Sequence, residues 1–163
     1  QCCRKPPPNS PMPTPSSAQV ADVTQTPEAN GEFAQLVYYK ACPEEGHPDC
    51  AFYKRHSDYI EGDQYRAQGV RIYTIFMYLN DVDEGGQTHF PRLNISVRPK
   101  RGRALLWPSV LDHDPNARDD RTEHESVAVG SGTKYAANYW LHMYDFQSAV
   151  ARGCSNTEVF GNW

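Results

Sequence analysis

The sequence predicts a mainly β domain with a double-stranded β-helix (jelly-roll, cupin-like) core and few helices. The first observation is a series of short apolar runs, rich in β-branched and aromatic residues, which turn residues separate from position 33 onwards. The second is that every Phe, Trp and Tyr lies between residues 33 and 163. The third is that no long segment has the apolar period of a helix. Together they favour a set of short strands packed in two sheets.

The first half of this pattern contains the strand that we expect at the centre of the fold. Residues 33–39 (FAQLVYY) predict a first strand, and residues 70–79 (VRIYTIFMYL) predict a second. The second run is apolar on both faces, which is typical of a strand buried between two layers. A turn at 83–86 (DEGG) leads to a short strand at 88–90, which Pro91 ends because proline has no amide hydrogen to donate.

The second half predicts two hairpins. The first covers residues 95–107 and turns at 99–102 (PKRG). The second covers residues 123–143 and turns at 130–132 (GSG). In both, apolar runs on either side of a glycine-containing turn favour antiparallel pairing of neighbouring strands.

The chain divides into two regions of different composition. Residues 1–32 hold seven of the 13 prolines and no aromatic residue. We expect residues 1–32 to be a Pro-rich, disordered leader or linker with polyproline II character. Residues 33–163 are then the folded domain, and the sequence leaves open whether that domain is incomplete at its N-terminal side.

Charge and hydropathy exclude some kinds of partner. The net charge is −4 and the isoelectric point about 5.8, so we expect no nucleic-acid partner held by bulk electrostatic attraction. No apolar run approaches the ~20 residues that a membrane-spanning helix needs. We therefore expect no membrane contact by this segment, although an anchor before residue 1 stays open.

Two cysteines flank a short loop of sequence CPEEGHPDC. Cys42 and Cys50 either form a disulfide, if the protein is secreted, or remain two thiols, and the sequence favours neither. No pair of cysteines has the CxxC spacing of a zinc site. The triplet Asn94-Ile95-Ser96 is a glycosylation sequon, which is weak support for a secretory route.

The stretch FYKRHSDYI contains the first candidate metal ligands. Residues i and i+2 of an extended strand point to one face, so His56 and Asp58 would present an imidazole and a carboxylate side by side. Two histidines and one carboxylate form the facial triad of non-haem Fe(II) oxygenases, which leaves coordination positions open. His124, at the start of a later strand, is the best candidate for the second histidine. His113 is the strongest rival, but its polar loop supplies no strand to fix its geometry.

Lys134 is the candidate counter-charge for the distal carboxylate of 2-oxoglutarate. If the glycine-rich turn centres on Ser131, His124 lies opposite Asn138, four residues from Lys134. At about 3.3 Å per residue the two backbones are then about 13 Å apart, which an extended 2-oxo acid would span. The alternative is an ordinary solvated lysine, and it stands if the triad does not form.

Residues 53–146 resemble the catalytic domain of prolyl 4-hydroxylases, in the 2-oxoglutarate/Fe(II)-dependent dioxygenase superfamily. The matching segments are YKRHSDYI, YTIFMYLNDVDEGGQTHFP, VRPKRGRALLW and HESVAVGSGTKYAANYWLH. The YLNDVxEGGxTxFP block is highly specific, and HxD, H and K follow in the family order around it. The resemblance implies His56, Asp58 and His124 as iron ligands and Lys134 as the 2-oxoglutarate lysine, which makes 33–163 the dioxygenase domain.

The resemblance also implies a reaction. Its cofactors and cosubstrates are Fe(II), 2-oxoglutarate, O2 and ascorbate, and it hydroxylates peptidyl proline at C4 while 2-oxoglutarate becomes succinate and CO2. The implied substrate is a Pro-rich peptide or protein, and the implied location is the endoplasmic reticulum or secretory pathway. Further residues implied in cosubstrate binding are Tyr39, Thr74, Tyr78 and Trp140. The chain departs from the family in the insertion CPEEGHPDC, which places Tyr39 17 residues before His56.

Two other functions are compatible with the same residues. The first is the same chemistry on another substrate, such as a lysyl residue or a free amino acid, because substrate choice depends on loops. The second is a non-catalytic jelly-roll binding module. The presence of His56, Asp58, His124 and Lys134 together argues against the second, since a module without turnover does not need all four.

Overall fold

The computed structural model of the chain describes residues 17–42, 50 and 52–154. Its secondary structure is mainly β. The strands are β1 Gln35–Lys40, β2 Arg71–Tyr78, β3 Glu84–Gly85, β4 Thr88–Phe90, β5 Ile95–Val97, β6 Ala104–Pro108, β7 Val110–Leu111, β8 Asp114–Arg118, β9 Glu125–Ser126, β10 Val129–Ser131 and β11 Thr133–His142. The helices are α1 Ser17–Thr24 and α2 Phe146–Ala151, with 3₁₀ turns at Glu28–Asn30, Asp63–Tyr65 and Asp120–Thr122.

The larger sheet has four antiparallel strands in the order β1-β11-β2-β6. β2 lies inside this sheet, and the burial of its residues extends to both faces from Thr74 to Tyr78. The prediction of a central strand at 70–79 is therefore confirmed. Burial on both faces explains why its sequence shows no polar alternation.

A second layer of short strands packs against the larger sheet. It consists of β5-β4-β9 and of the pair β10-β3, and an isolated bridge joins His56 to His124 beside it. This two-layer β arrangement with few helices confirms the predicted jelly-roll class. Apolar and aromatic side chains fill the space between the layers: Val37, Tyr39, Phe76, Tyr78, Phe90, Trp107, Val129 and Ala136.

The two faces of the larger sheet have different functions in the fold. Alternate residues of β2 and β11 point to opposite faces, as the strand geometry requires. Tyr78 and Ala136 face the inner core. Ile75, Ala137 and the α1 residue Val20 belong to a separate outer cluster. Helix α1 therefore covers the outer face of the sheet, away from the space between the two layers.

Both predicted hairpins are wrong in their pairing. β5 pairs with β4 and β6 pairs with β2, so residues 95–107 contribute to two different sheets. β10 pairs with β3, whereas β11 pairs with β1 and β2. Asn138 lies opposite Gln35 and Phe76, and His124 bridges to His56 instead. Glycine turns here pass the chain from one layer to the other, and local periodicity does not reveal which layer receives the next strand.

The predicted boundary at residue 33 also needs correction. Residues 17–32 pack on the domain: Val20 of α1 is 4% exposed, and Gly31 forms a bridge to Leu141. Asn30 is buried and donates from its amide to the carbonyl oxygen of His142. The sequence did not reveal that residues 17–32 pack on the domain, because a short helix needs only one or two buried apolar residues to do so. The predicted leader in residues 1–16 lies outside the described residues.

Two further features concern a disulfide bond and the hydropathy of the helices. Cys42 and Cys50 form a disulfide, which resolves the alternative that the sequence left open. The bond joins the end of β1 to the segment that leads to His56; the residues 43–49 between the two cysteines lie outside the described part. Among the described residues, no helix has the length and hydropathy required to cross a membrane.

Candidate metal and cosubstrate site

The structure brings His56, Asp58 and His124 together at one end of the inner core. One ligand atom of each lies within 4.8 Å of the other two. The Nε2 atoms of His56 and His124 each lie 3.7 Å from a different oxygen of the Asp58 carboxylate. Two imidazoles and one carboxylate that converge in this way are the donor set of a 2-His-1-carboxylate iron site.

Backbone contacts leave the Nε2 atoms of both histidines available to a metal. Nδ1 of His56 lies 2.7 Å from the carbonyl oxygen of Lys54, and Nδ1 of His124 lies 3.0 Å from that of Thr122. A carbonyl oxygen only accepts, so each Nδ1 carries the hydrogen and each Nε2 keeps a lone pair. Burial lowers the pKa of His124 below its ordinary value, although Asp58 opposes the shift. The lowered pKa favours the neutral, ligating form of that imidazole.

The segments that carry the two histidines are joined by backbone hydrogen bonds and by a neighbouring ion pair. His56 and His124 exchange backbone hydrogen bonds of 2.9 Å in both directions. The residues just before them, Arg55 and Glu123, form an ion pair of 2.8 Å. Because Arg55 is about half exposed, we expect this pair to contribute less than about 1 kcal/mol to stability. It nevertheless fixes the same register that aligns the two imidazoles.

Thr74 makes a contact that the sequence did not predict. Its hydroxyl donates a 2.6 Å hydrogen bond to Oδ2 of Asp58, while its implied place in the cosubstrate pocket stays a prediction. Thr74 is fully buried in β2, and the side chain of Asp58 is 5% exposed. Asp58 sits in no named strand, so this bond from a central strand fixes the orientation of its carboxylate.

Aromatic rings enclose the metal end of the pocket. The ring of His124 contacts those of Trp107, at 4.7 Å between centroids, and Phe90, at 5.6 Å. The ring of Tyr53 lies 4.9 Å from that of His56. Among the described residues the site is more open on the His56 side, since that side chain is 31% exposed while His124 is 9% exposed. The half-exposed Tyr53 stands at this opening.

Lys134 lies in the inner core and is fully buried. Its Nζ donates to the hydroxyl of Ser126 at 2.8 Å and lies 5.1 to 5.7 Å from the ring centroids of Phe76, Tyr78 and Tyr39. Among the described residues, no carboxylate lies within ion-pair distance of it. Burial lowers the pKa of Lys134 from 10.5 to about 8. A buried ammonium without a counter-ion is unusual and marks a place for an anion.

Tyr39 and Tyr78 flank the ammonium from β1 and β2, the strands on either side of β11. Tyr39 pairs with Lys134 across β1 and β11, and its buried hydroxyl has no hydrogen-bond partner in the described chain. The hydroxyl of Tyr78 lies 2.7 Å from that of Thr88 and donates to the carbonyl oxygen of Val97. Burial raises the pKa of both tyrosines, so both are neutral phenols. The hydroxyl of Tyr78 already donates to Val97, whereas that of Tyr39 is available to donate to an anion.

Trp140 lies away from this group. It shares the inner face of β11 with Lys134 but is six residues further along, a separation of about 20 Å of strand. Its ring lies under the guanidinium of Arg71, at 4.0 Å from the centroid. Arg71 in turn pairs with Glu32, which also contacts His142. Trp140 lies opposite Thr74 across β11 and β2, at the level of the metal end, and its implied contact with the cosubstrate stays a prediction.

The pocket fits a metal and a dicarboxylate on three grounds. Three ligand atoms converge at one end. In the described chain the ammonium of Lys134 has no anionic partner, and the hydroxyl of Tyr39 has no hydrogen-bond partner. The two ends are connected by β2, on which Thr74 and Tyr78 are four residues, or about 13 Å, apart. Fe(II) would lie between His56, Asp58 and His124, and the distal carboxylate of 2-oxoglutarate would lie at Lys134.

The sequence prediction missed Ser126 and Thr88. Ser126 accepts from Lys134, and a signal was available: it follows His124 by two residues and so shares its face. Thr88 contacts Tyr78, and the one signal in the sequence was its position directly after the GGQ turn.

Near this site, a side chain at Gly85 would place its Cβ 2.0 Å from the carbonyl oxygen of Ala128, so only glycine permits this approach of β3 to β10. The rival ligand His113 is exposed in the β7–β8 turn and joins no metal-binding group among the described residues.

A jelly roll with this donor set defines a class of protein, the non-haem iron oxygenases. The chain belongs to the 2OG-Fe(II) oxygenase superfamily, whose family profile matches residues 34–142. Within this superfamily, the chain is similar to proteins named prolyl 4-hydroxylase. The chain is 33% identical over 165 residues to Probable prolyl 4-hydroxylase 7 of Arabidopsis thaliana, a match that covers 87% of this chain and 48% of that one. It is 34% identical over 139 residues to Prolyl 4-hydroxylase 1 of the same plant, covering 76% and 45%.

A solved structure supports the same fold. The crystal structure of a viral collagen prolyl hydroxylase from Paramecium Bursaria Chlorella virus-1, as its 2OG complex, matches with a TM-score of 0.58 and 29% sequence identity. The match covers 69% of this chain and 59% of that one. The chain spans about half the length of the curated relatives it matches.

Proposed function

We propose that the protein is a 2-oxoglutarate- and Fe(II)-dependent dioxygenase that hydroxylates peptidyl proline at C4. The observation that carries this proposal is the placement of the His56, Asp58 and His124 ligand atoms in one inner pocket with the buried ammonium of Lys134. The relatives named prolyl 4-hydroxylase support the choice of proline. Bound iron, 2-oxoglutarate and O2 supply the oxidant, while 2-oxoglutarate becomes succinate and CO2.

The residues of the chain orient the cosubstrate and exclude water. The ammonium of Lys134 pairs with the distal carboxylate, and the phenol of Tyr39 donates to the same group. Trp107 and Phe90 close the side of the pocket next to His124, so water has little access to that side. Thr74 holds the Asp58 carboxylate in the orientation that faces both histidines. These groups act before the chemical step, by positioning and by desolvation.

The peptide substrate enters at the open side of the triad. His56 is the most exposed of the three ligands, and the ring of Tyr53, 44% exposed, stands beside it. An aromatic ring offers a flat apolar surface to a pyrrolidine ring, as in other proline-recognising grooves. We therefore place the reacting proline between Tyr53 and the metal position, with Pro-rich peptides or proteins as the substrate class.

The cellular setting that we propose is the endoplasmic reticulum or the secretory pathway. The Cys42–Cys50 disulfide supports it, because such bonds persist in oxidising compartments. Ascorbate is the proposed reductant that returns iron to Fe(II) after turnovers without substrate. Residues 1–16 remain a proposed leader or linker.

The test is turnover of 2-oxoglutarate against a panel of Pro-containing and Lys-containing peptides, with products identified by mass spectrometry. We expect Pro-peptides to stimulate turnover and to gain hydroxyl groups. His56→Ala should abolish both, whereas His113→Ala, an exposed histidine outside the triad, should leave both unchanged. Hydroxylation of the Lys-peptides alone would establish the alternative substrate. Binding of Fe(II) and 2-oxoglutarate without turnover on any peptide would support the binding module.

A further inference from the structure

The N-terminal sequence contains a proline cluster that lies outside the described residues. Residues 1–16 hold six of the 13 prolines, at positions 6, 7, 8, 11, 13 and 15, separated by small or polar residues and Met12. The described domain begins at Ser17 with helix α1. The cluster is therefore joined directly to the domain proposed to hydroxylate such sequences.

We propose that the chain is its own substrate: the pocket of one copy hydroxylates prolines in residues 6–15 of a second copy. This inference rests on the proposed function and names one substrate for the same site. The cluster belongs to the Pro-rich class, and its Arg4 and Lys5 have a charge opposite to the net charge of −4.

The position of α1 favours modification between copies rather than within one. Val20 packs α1 on the outer face of the larger sheet, with Ile75 and Leu141. The ligand histidines and Lys134 lie on the inner side of the same sheet. The sheet therefore lies between Ser17, where the cluster joins the domain, and that copy's own pocket. Pro11, Pro13 and Pro15 are only six, four and two residues before Ser17, about 7 to 20 Å of extended chain, so they have the least length with which to pass around the sheet. A second copy faces no such barrier, because the pocket opens to solvent at His56.

The atoms and electrons of each hydroxylation balance with proline, O2 and 2-oxoglutarate as the reactants. One oxygen atom of O2 enters the C4–H bond of proline and forms C4–OH. The other oxygen atom enters the carboxylate of succinate as 2-oxoglutarate loses CO2. The electrons that reduce O2 come in equal parts from the proline C–H bond and from the oxidation of 2-oxoglutarate. Succinate, CO2 and hydroxyproline are the products.

The experiment separates enzyme and substrate by two variants of the full chain. The enzyme carries Ala at all six proline positions of the cluster, so it cannot be modified there. The substrate carries His56→Ala, so it cannot catalyse. The two are mixed with Fe(II), 2-oxoglutarate and ascorbate, and the substrate chain is digested and sequenced by mass spectrometry. We expect the enzyme variant to hydroxylate an external Pro-peptide at the same rate as the unmodified chain.

Three controls locate the added oxygen. Met12 in the cluster gains the same mass when it is oxidised, so the substrate chain also carries Met12→Leu. Pro27 serves as an internal control, because its carbonyl accepts from Asn30 in the 3₁₀ turn and holds it within the folded domain. Omission of 2-oxoglutarate gives the background.

The expected result is 2-oxoglutarate-dependent oxygen on residues 6–15 of the substrate chain, none on Pro27, and a fractional rate that rises in proportion to enzyme concentration. Two results would overturn the inference. The first is an unmodified cluster while the external Pro-peptide is hydroxylated, which leaves the proposed function standing. The second is no modification of either, which overturns the proposed function as well. In the unmodified chain, hydroxylation at a rate independent of concentration would overturn the between-copies assignment.

Discussion

The hydroxyl of Thr74 donates a 2.6 Å hydrogen bond to the Asp58 carboxylate oxygen that faces His124. The bond links the most regular element of the fold, the central strand β2, to a ligand that lies in an irregular segment. A carboxylate that is held in place before metal binding loses less rotational freedom when the metal binds. Thr74 is therefore a positioning residue for the metal site.

Replacement of Thr74 tests this role. Thr74→Val keeps the shape and burial of the side chain but removes the donor. We expect Fe(II) affinity to fall by about 10-fold or more, as for other lost partners of metal ligands. Thr74→Ser restores the donor and should restore most of the affinity. Anaerobic Fe(II) titration measures both, and equal affinities of Val and Ser variants would contradict the positioning role.

Lys134 predicts how 2-oxoglutarate binding depends on pH. Burial sets the pKa of the free lysine at about 8, so the ammonium that pairs with the distal carboxylate is lost above that pH. We expect the KM for 2-oxoglutarate to be constant below pH 8 and to rise towards about tenfold per pH unit above it. Lys134→Arg keeps the charge at every accessible pH and should not show this rise. A parallel rise in both proteins would show that another group titrates.

The Glu32 carboxylate predicts an acid-sensitive contribution to stability. Burial alone would raise the pKa of Glu32, but Arg71 and His142 together hold it below its ordinary value of 4.5. A depressed pKa stabilises the fold above the unfolded-state value, and this stabilisation is lost as the pH falls through the folded-state value. Glu32→Gln should therefore lower the free energy of unfolding by about 3 kcal/mol at pH 7, since it leaves the guanidinium of Arg71 without its carboxylate.

Chemical denaturation at several pH values measures this effect. The difference between Glu32→Gln and the unmodified chain should shrink below pH 4.5. Glu61→Gln, at an exposed carboxylate, is the matched control and should change stability by less than about 0.5 kcal/mol. If Glu32→Gln were as mild as the control, residues 17–32 would not be the integral part of the domain described above.

The Cys42–Cys50 disulfide predicts sensitivity to reductant. The bond closes a short loop between β1 and the segment that carries His56. By the chain-entropy relation, its loss should lower the free energy of unfolding by about 2–3 kcal/mol. The double variant Cys42→Ser, Cys50→Ser should match the reduced protein in its melting temperature. Cys154→Ser changes the exposed free cysteine and should have no effect. An unchanged melting temperature in the double variant would exclude a stabilising role.

The sequence predicted the chemistry of the site better than its topology. The strand around Thr74 and the grouping of His56 with Asp58 depend on short-range patterns that a sequence displays. The predicted pairing of His124 with Asn138 was wrong, because strands that follow each other here belong to different layers. Long-range pairing depends on how two sheets close on each other, which local alternation does not encode.

The N-terminal boundary failed for a related reason. Helix α1 is anchored by the burial of Val20, and the following segment by polar contacts of Asn30 and Glu32. Composition counts apolar residues and so overlooks a segment that polar contacts hold to the domain. A motif assigns residues to a pocket without stating which of its ends each one faces. The register of β2 and β11 supplies that information, since it places Trp140 opposite Thr74 and Ala136 opposite Tyr78.

The most direct measurement is anaerobic titration of the protein with Fe(II) and 2-oxoglutarate, followed by the visible charge-transfer absorption of their complex. The account predicts one equivalent of Fe(II) per chain and a full band in the unmodified protein and in His113→Ala. It predicts no band in His56→Ala, and a weaker 2-oxoglutarate affinity in Lys134→Met with the band recovered at high concentration. A full band in His56→Ala would contradict the assignment of the iron site.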